Sequence, residues 1–174
     1  QDEFCLLQIK PMVVRGLQKS AYPIVNKKEN ILCRSEIVMG DGIIDSIYNI
    51  IYVDIDEFDR SLTRNIAKEI EIFNRQLGKE NPYLLIGPGR WGTADPWLGI
   101  PVNWKQISHA RTIVELGIDA LNPEPSFGSH FSQNVTSLRI GYFTLQHIDK
   151  GGDIDIGWLN SQPVKQATKF IRWI

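Results

Sequence analysis

A short, wholly apolar run from Tyr83 to Ile86 limits what this chain can fold into more than any other feature. Such a run, with no polar alternation, is typical of a strand at the centre of a sheet that is covered on both faces. Before it, apolar residues recur every three or four positions from Leu62 to Leu77, between Asp59, which can cap a helix, and Gly78, which can end one. A buried strand beside an amphipathic helix predicts an α/β fold, with α+β as the alternative. Either is a mixed β-sheet packed by two or three helices.

The remaining patterns predict further strands and helices but not their order in the sheet. Runs rich in β-branched residues on either side of Gly40-Asp41-Gly42 predict a β-hairpin formed by residues 31–39 and 43–53. Asn103, with Gln106 three positions later, predicts the start of a helix that continues to Gly117. Toward the C-terminus the patterns predict a helix over 129–137, a strand over 138–148, a turn at 151–152, a strand over 154–158 and a helical turn near 161–163.

Composition excludes several classes of protein. Hydrophobic residues make up 43% and charged residues 22% of the 174, which is typical of a globular chain and not of a disordered or fibrous one. The net charge of -1 gives no electrostatic reason to expect a nucleic-acid partner. No apolar run approaches the roughly 18 residues that a membrane span needs, and no basic-then-apolar signal sequence is seen. We expect a cytoplasmic protein without a membrane or nucleic-acid partner. Because the chain begins with Gln1 and enters an apolar run at once, we also expect it to be part of a longer polypeptide.

A glycine-rich loop, residues 87–92, directly follows the predicted central strand and satisfies the G-x-G-x-x-G pattern of dinucleotide sites. That pattern requires a helix that opens inside the motif, whereas residues 93–102 contain two prolines and no helical period. We therefore reject a nicotinamide or flavin site. A loop of this kind at the end of a strand remains a candidate anion site, with Arg90 as the fork-shaped donor. The candidate anion-binding residues are Gly87, Gly89, Arg90 and Gly92.

The same loop also has a purely structural interpretation. The glycines would then fit a tight turn, while Trp91 and Trp97 pack on the sheet. Arg90 would stack on an indole or pair with Asp95. The sequence leaves both interpretations open.

A second candidate site lies in the predicted helix over residues 129–137. Helical spacing would place His130, Gln133 and Asn134 on one polar face, which could orient a small polar ligand. The alternative is a buried polar network with Ser129 as the helix cap. The three histidines of the chain show no close ligand spacing and no cysteine cluster accompanies them, so we expect no metal site.

The segment Phe4-Cys5-Leu6-Leu7-Gln8-Ile9-Lys10-Pro11 resembles the closing strand of the ATP-grasp nucleotide-binding domain of phosphoenolpyruvate synthase and pyruvate phosphate dikinase, which ends in L-Q-x-R-P. The resemblance implies that Gln8 and Lys10 face the ATP phosphates and metal, and that ATP and Mg²⁺ are cofactors of the parent protein. Lys10 stands where the family has arginine, so a point charge replaces a bidentate fork.

Most of the remaining chain resembles the C-terminal region of large bacterial proteins that carry the same nucleotide-binding domain. Three sequence motifs carry this resemblance: Gly-Pro-Gly-Arg-Trp-Gly at 87–92, Asp-Pro-Trp-Leu-Gly-Ile-Pro-Val at 95–102 and Gly-Ser-His-Phe-Ser-Gln-Asn at 128–134. The resemblance divides the chain into a terminal ATP-grasp strand (1–12), a linker (13–30) and a C-terminal accessory α/β domain (31–174).

The family activates pyruvate by passing phosphate from ATP through a phosphohistidine. That chemistry needs many groups and Mg²⁺ positioned together, and most of them lie outside these residues. The resemblance therefore implies an accessory or docking domain of a phosphoenolpyruvate-synthase-like ATP-dependent phosphotransferase. It would be inactive alone, with no tightly bound cofactor and with the rest of the parent polypeptide as its partner. The alternative is a ligand-sensing or protein-interaction module whose glycine loop binds a small anion. A third hypothesis is that the chain is an independent small enzyme.

Overall fold

The computed structural model describes residues 31–40, 43–118, 121, 123, 130–146, 148 and 153–174, without the side chains of 130, 132, 133 and 136. Residues Ile31–Ile174 form one structural unit. The predicted terminal strand (1–12) and linker (13–30), with Gln8 and Lys10, lie outside the described residues. So does the predicted turn at 151–152.

The described part of the chain contains both strands and helices. The strands are β1 (Ile37–Met39), β2 (Asn49–Val53), β3 (Tyr83–Pro88), β4 (Arg90–Trp91), β5 (Gly99–Ile100), β6 (Ala110–Leu116), β7 (Gly141–Leu145), β8 (Gln166–Ala167) and β9 (Ile171–Trp173). The α-helices are α1 (Thr63–Leu77), α2 (His130–Ser137) and α3 (Ile156–Ser161), with 3₁₀ turns at Arg60–Leu62 and Trp104–Ile107.

Seven strands form one mixed sheet in the order β1-β7-β6-β3-β2-β9-β8. The four inner strands β7, β6, β3 and β2 are mutually parallel. The edges are antiparallel: β1 pairs with β7, β9 pairs with β2, and β8 pairs with β9. Strands β4 and β5 form a separate parallel pair. The predicted fold class, a mixed sheet packed by helices, is confirmed.

Strand β3 is the central strand that its apolar sequence predicted. Leu85 points into one core with Ile70 and Phe73 of α1, while Ile86 points into a second core with Leu159 of α3. Along the chain, β2, β3, β6 and β7 are added to the sheet one after another on the same side. Because crossovers between parallel strands have the same hand, the three connections between these strands all lie on one face of the sheet. Accordingly α1, the Trp104–Ile107 turn and α2 all contribute to the first core.

The signals predicted for α1 act as expected. The Asp59 carboxylate accepts a hydrogen bond from the Ser61 N–H (2.8 Å), which caps the 3₁₀ turn that leads into the helix. Seven residues of α1 are buried, and Gly78 ends it with a φ of 64°, a left-handed conformation that favours glycine. Both ends of α1 and its apolar face are thus confirmed.

The predicted hairpin between residues 31–39 and 43–53 is wrong. Strand β1 pairs with β7, and β2 pairs with β3 and β9, so the two do not pair with each other. Residues 43–48 form no strand. Strand β2 is buried along most of its length and lies inside the sheet, between β3 and β9. In a hairpin at the edge of the sheet it would have only one neighbouring strand and would be less well covered.

The predicted helix over 103–117 is also wrong beyond its first turn. The capping box is real: Gln106 accepts from the Asn103 N–H (2.8 Å), and Asn103 accepts from the Lys105 N–H (3.0 Å). The helix stops after Trp104–Ile107, however, and the chain enters β6. Thr112, Ile113 and Val114 are β-branched and suit a strand between β3 and β7.

The C-terminal third contains two confirmed and two wrong predictions. Helix α2 and strand β7 lie where the sequence predicted them. The predicted strand over 154–158 is instead the start of α3, because Asp155 caps it by accepting from the Trp158 N–H (2.7 Å). The predicted helical turn near 161–163 is wrong, because α3 ends at Ser161 and residues 162–164 form no helix. They lead into the β8–β9 hairpin. No helix in the described ranges is both long and apolar enough to cross a bilayer.

Candidate functional site

The carboxyl ends of the four parallel strands meet at one edge of the sheet, and the glycine-rich loop lies there. Residues 87–92 cover the end of β3 and form β4, next to the ends of β6 and β7. In open α/β sheets, ligands bind outside the carboxyl ends of the strands, at the point where the strand order reverses. The four parallel strands show no such reversal, but the glycine loop makes this carboxyl edge the first place to look for a functional site.

The loop does not offer its backbone amides to a ligand. Four consecutive N–H groups donate to oxygens of the protein itself. They are Gly89 to the Leu116 carbonyl (2.8 Å), Arg90 to the Leu98 carbonyl (2.9 Å), Trp91 to Glu115 Oε1 (3.1 Å) and Gly92 to the Ile100 carbonyl (3.0 Å). A phosphate cradle needs such groups free. An anion at this loop would therefore be bound by the Arg90 side chain and not by the backbone.

Close packing accounts for the glycines of the loop. Gly89 and Gly92 have φ values of 70° and 72°, which disfavour any residue with a Cβ. A Cβ on Gly89 would lie 2.7 Å from the Leu121 side chain, and one on Gly92 would lie 2.5 Å from the Phe131 ring. The glycines therefore have a structural reason to be present, whatever Arg90 binds.

The two tryptophans of the region behave differently. Trp91 is buried in the first core, and its Nε1–H donates to the Val114 carbonyl (3.0 Å), as the structural interpretation predicted. Trp97 is 62% exposed, so the prediction that it packs on the sheet is wrong. Asp95 accepts from the Trp97 N–H (2.9 Å) within its own turn.

Arg90 is half-buried. Among the described residues it forms neither an ion pair with a carboxylate, Asp95 included, nor a cation–π contact with an indole. The structural interpretation of Arg90 thus finds no support within these residues.

Sequence reasoning missed Glu115, the only carboxylate among the buried residues of the described chain. It lies near the end of β6 and is 2% exposed. Its Oε1 accepts from the Trp91 N–H and from the Tyr142 hydroxyl, and its Oε2 accepts from the Thr144 hydroxyl (3.1 Å). Thr144 is its register partner on β7. A single glutamate inside an apolar β-branched segment was the available signal, once that segment is read as a strand.

The electrostatics of this network follow from burial. Burial raises the pKa of the Glu115 carboxyl above its ordinary value, while the hydrogen bonds from Tyr142, Trp91 and Thr144 and the charge of Arg90 act in the opposite direction. Burial, followed by the nearby Glu115, raises the pKa of the Tyr142 phenol well above its ordinary value. Arg90 lies near enough for its charge to act on both groups.

The second predicted site adjoins the first. Phe131, near the start of α2, packs against Gly92 of the loop and makes an edge-to-face contact with Tyr142 (ring centroids 6.0 Å apart). Asn134 is half-buried, while the side chains of His130 and Gln133 lie outside what is described. The polar face predicted on α2 stays a prediction, but the helix that would carry it lies beside the loop.

ATP and Mg²⁺, the cofactors that the resemblance implies for the parent protein, have no assigned position among the described residues. Among them no three His, Cys, Asp or Glu side chains are grouped closely enough to hold a metal ion. Gln8 and Lys10, to which the resemblance assigns the phosphates and metal, lie outside the described ranges. No phosphoryl-transfer step can therefore be derived for residues 31–174 from these side chains.

A scan of family models, a search of curated proteins and a search of solved structures each found no match to this chain.

Proposed function

We propose that residues 31–174 form an accessory domain of a phosphoenolpyruvate-synthase-like, ATP-dependent phosphotransferase. In this proposal the domain docks on the catalytic part of the protein and lends Arg90 to an anion site, and it has no activity alone. The resemblance of residues 87–92, 95–102 and 128–134 supports the family. The chemistry of the carboxyl edge supports a binding role.

The observation that carries the binding role is the enclosure of Glu115. A general acid or base must reach its substrate, directly or through one water. Both oxygens of Glu115 accept hydrogen bonds from the protein, and the Tyr142 hydroxyl is engaged with Glu115. Both side chains are buried, so neither faces a substrate. Arg90 is a half-buried charged group at this edge, and it forms no ion pair among the described residues. Neither of these enclosed groups can act as an acid or base on an anion that Arg90 binds.

The chemistry of Arg90 indicates the class of ligand. A guanidinium presents donors in a planar fork that matches carboxylate and phosphate oxygens. Phosphoenolpyruvate and phosphate, which belong to the reaction of the family, both carry such oxygens. The proposal therefore favours these two ligands over the less highly charged pyruvate.

A second candidate function is a ligand-sensing or protein-interaction module. It is favoured by the exposure of Trp97 (62%) and Leu98 (46%) on the loop that pairs with Arg90. Large aromatic and aliphatic side chains of this kind are common anchors in protein interfaces. In this reading Arg90 and Trp97 recognise a partner surface together.

Calorimetric titration of the 174-residue chain with Mg-ATP, phosphate, phosphoenolpyruvate and pyruvate tests the anion site. We expect phosphoenolpyruvate or phosphate to bind, and Arg90→Ala to weaken that binding by about tenfold or more. Arg90→Lys should be intermediate because it keeps the charge and loses the fork. Arg64→Ala, which removes an exposed arginine from α1, is the matched control. Equal losses in the Ala variants at positions 90 and 64 would exclude a specific role for Arg90.

Two further measurements separate the candidate functions. The accessory-domain proposal predicts no ATP hydrolysis by the chain alone, and sustained turnover by the pure chain would refute it. The interaction-module hypothesis predicts that Trp97→Ala leaves anion binding intact and weakens association with a partner protein separate from the parent polypeptide. Unchanged association would remove the support that Trp97 gives to this second function.

A further inference from the structure

A concave site lies at the opposite edge of the sheet, where β6 and β7 begin. This amino-edge cleft has a volume of about 250 Å³ and is lined by Lys79, Ser108, His109, Arg111, Leu138 and Ile140. Arg111 is the second residue of β6 and Glu115 is near its end, so about 13 Å of extended strand separates them. The amino-edge cleft is therefore distinct from the candidate site at Arg90.

The lining of the amino-edge cleft has one sign of charge. Lys79 and Arg111 carry positive charge, His109 adds an imidazole, and none of the lining residues in the described part of the chain is acidic. Leu138 and Ile140 supply an apolar wall, and Ser108 adds a hydroxyl. A concave surface with convergent donors and a partly apolar wall is the usual form of a small-molecule site.

A buried asparagine holds two of the lining residues in place. Asn74 is 2% exposed, and its side-chain oxygen accepts from the Tyr83 hydroxyl (2.9 Å) and from the His109 backbone N–H (3.0 Å). Its side-chain nitrogen donates to the Lys105 carbonyl (3.2 Å) and to Ser108 Oγ (3.3 Å). The segment that carries Ser108 and His109 is thus fixed before any ligand arrives, which lowers the entropic cost of binding.

The imidazole of His109 is oriented as well. Its Nδ1 lies 2.9 Å from the backbone carbonyl oxygen of Asn74, and because a carbonyl can only accept, Nδ1 must carry a proton. Nε2 is then the ring nitrogen left to act on a ligand. In the imidazolium form it donates, as a site for anions requires.

We propose that the amino-edge cleft binds a small anion of phosphate chemistry through Lys79, Arg111 and His109. The three groups provide an ammonium, a guanidinium fork and an imidazole, which together can donate to several oxygens of one phosphate group. The volume suits a phosphate with a small organic substituent. Because Lys79 and Arg111 are exposed to solvent, the affinity should be modest, with a Kd on the order of 1 mM, and should weaken with salt.

A competing explanation is that the basic side chains only compensate the partial negative charge at the carboxyl end of α1. The carboxyl end of a helix carries partial negative charge and favours nearby cations. Lys79 lies two residues beyond the end of α1, and His109 contacts the Asn74 carbonyl in the last turn of the helix, so this effect accounts for both. It does not account for Arg111, which belongs to β6. Arg111 therefore distinguishes the two explanations.

The test is a titration of the 174-residue chain with inorganic phosphate at constant ionic strength, in which two-dimensional amide NMR monitors each step. We expect saturable shifts at Ser108, His109 and Arg111. The shifts should weaken by about fivefold or more in each of the variants Arg111→Ala, Lys79→Ala and His109→Gln. Arg64→Ala and Arg90→Ala should leave these shifts unchanged, so failure of the Arg90 site does not affect this result.

Two outcomes would overturn the proposal. The first is the absence of saturable shifts at these amides up to about 50 mM phosphate, beyond those that chloride produces. The second is wild-type phosphate affinity in Arg111→Ala, which would leave the balancing of the α1 end as the explanation. Lys79 and Arg111 are exposed, so their alanine variants should fold, and matching circular dichroism spectra and melting temperatures check this.

Discussion

Replacement of Glu115 tests whether the buried network at its carboxylate stabilises the carboxyl edge of the sheet. In Glu115→Leu, three donors keep their buried positions and lose their acceptor: the Trp91 N–H, the Tyr142 hydroxyl and the Thr144 hydroxyl. A buried donor without a partner costs about 1–3 kcal/mol, and the two hydroxyls can rotate toward other acceptors. We therefore expect the free energy of unfolding to fall by about 3–5 kcal/mol. Leucine nearly fills the volume of glutamate, so a cavity should add little.

Glu115→Gln is the matched control for this experiment. Glutamine keeps one oxygen for the Trp91 and Tyr142 donors and places its amide nitrogen opposite Thr144, whose hydroxyl can also accept. We expect it to cost about 1 kcal/mol. Urea denaturation, followed by tryptophan fluorescence and circular dichroism, measures both variants. If the leucine variant unfolds at the same urea concentration as the glutamine variant, hydrogen bonding to Glu115 does not stabilise this edge.

Three further predictions concern stability. Because burial raises the pKa of Glu115 above 4.5, its contribution to stability is complete below that pH and is lost as the pH rises through the folded-state pKa. Unfolding free energy should therefore fall more steeply with pH in wild type than in Glu115→Gln, and parallel curves would contradict this. Gly92→Ala combines a φ of 72° with a Cβ 2.5 Å from the Phe131 ring, and should cost about 2–4 kcal/mol. Gly78→Ala, at φ 64° and ψ −174° with nothing within 4 Å, should cost about 1–2 kcal/mol from backbone strain alone in the same urea assay, and equal costs would show that the ring contact adds nothing. Arg139→Gly relieves a left-handed φ of 54° after α2 and should stabilise by about 1 kcal/mol, whereas a lower melting temperature would show that the arginine side chain outweighs that strain.

Elements whose local signals agree with their tertiary surroundings could be predicted from the sequence. Helix α1 follows a 3₁₀ turn that Asp59 caps, and it has an apolar face of 3.6-residue period and a stop at Gly78. All three signals point to one structure. Strand β3 could be predicted because four consecutive apolar residues fit only a position covered on both sides. The presence of a mixed sheet followed from these two elements.

Residues 103–117 show why other elements could not. Ala110, Ile113 and Val114 have the spacing of a helix face, and the same residues are equally suitable for a strand buried on both faces. The capping box formed as predicted, but it ended after one 3₁₀ turn because the chain re-enters the sheet beside β3. The pairing of β2 with β3 and β9 likewise depends on partners that are distant in sequence, which a local pattern does not encode.

The candidate site, too, could be predicted only in part from local sequence signals. The position of the glycine loop at the end of β3 followed from the sequence, because a loop that follows a parallel strand must lie at the carboxyl edge. The occupation of its amides did not, since the acceptors belong to residues 98–116. Glu115 was missed because the segment was assigned to a helix, where an isolated glutamate is ordinary. The amino-edge cleft brings together residues from three separate segments.

The protonation state of Glu115 links the buried network to Arg90. An ionised Glu115 carboxylate would offset the charge of Arg90 and reduce its attraction for an external anion. Burial favours the neutral form of Glu115, whereas its hydrogen bonds and the charge of Arg90 favour the carboxylate. The proposed binding of an anion by Arg90 should therefore be strongest at a pH below the folded-state pKa of Glu115, where the carboxyl is neutral and does not offset the guanidinium charge.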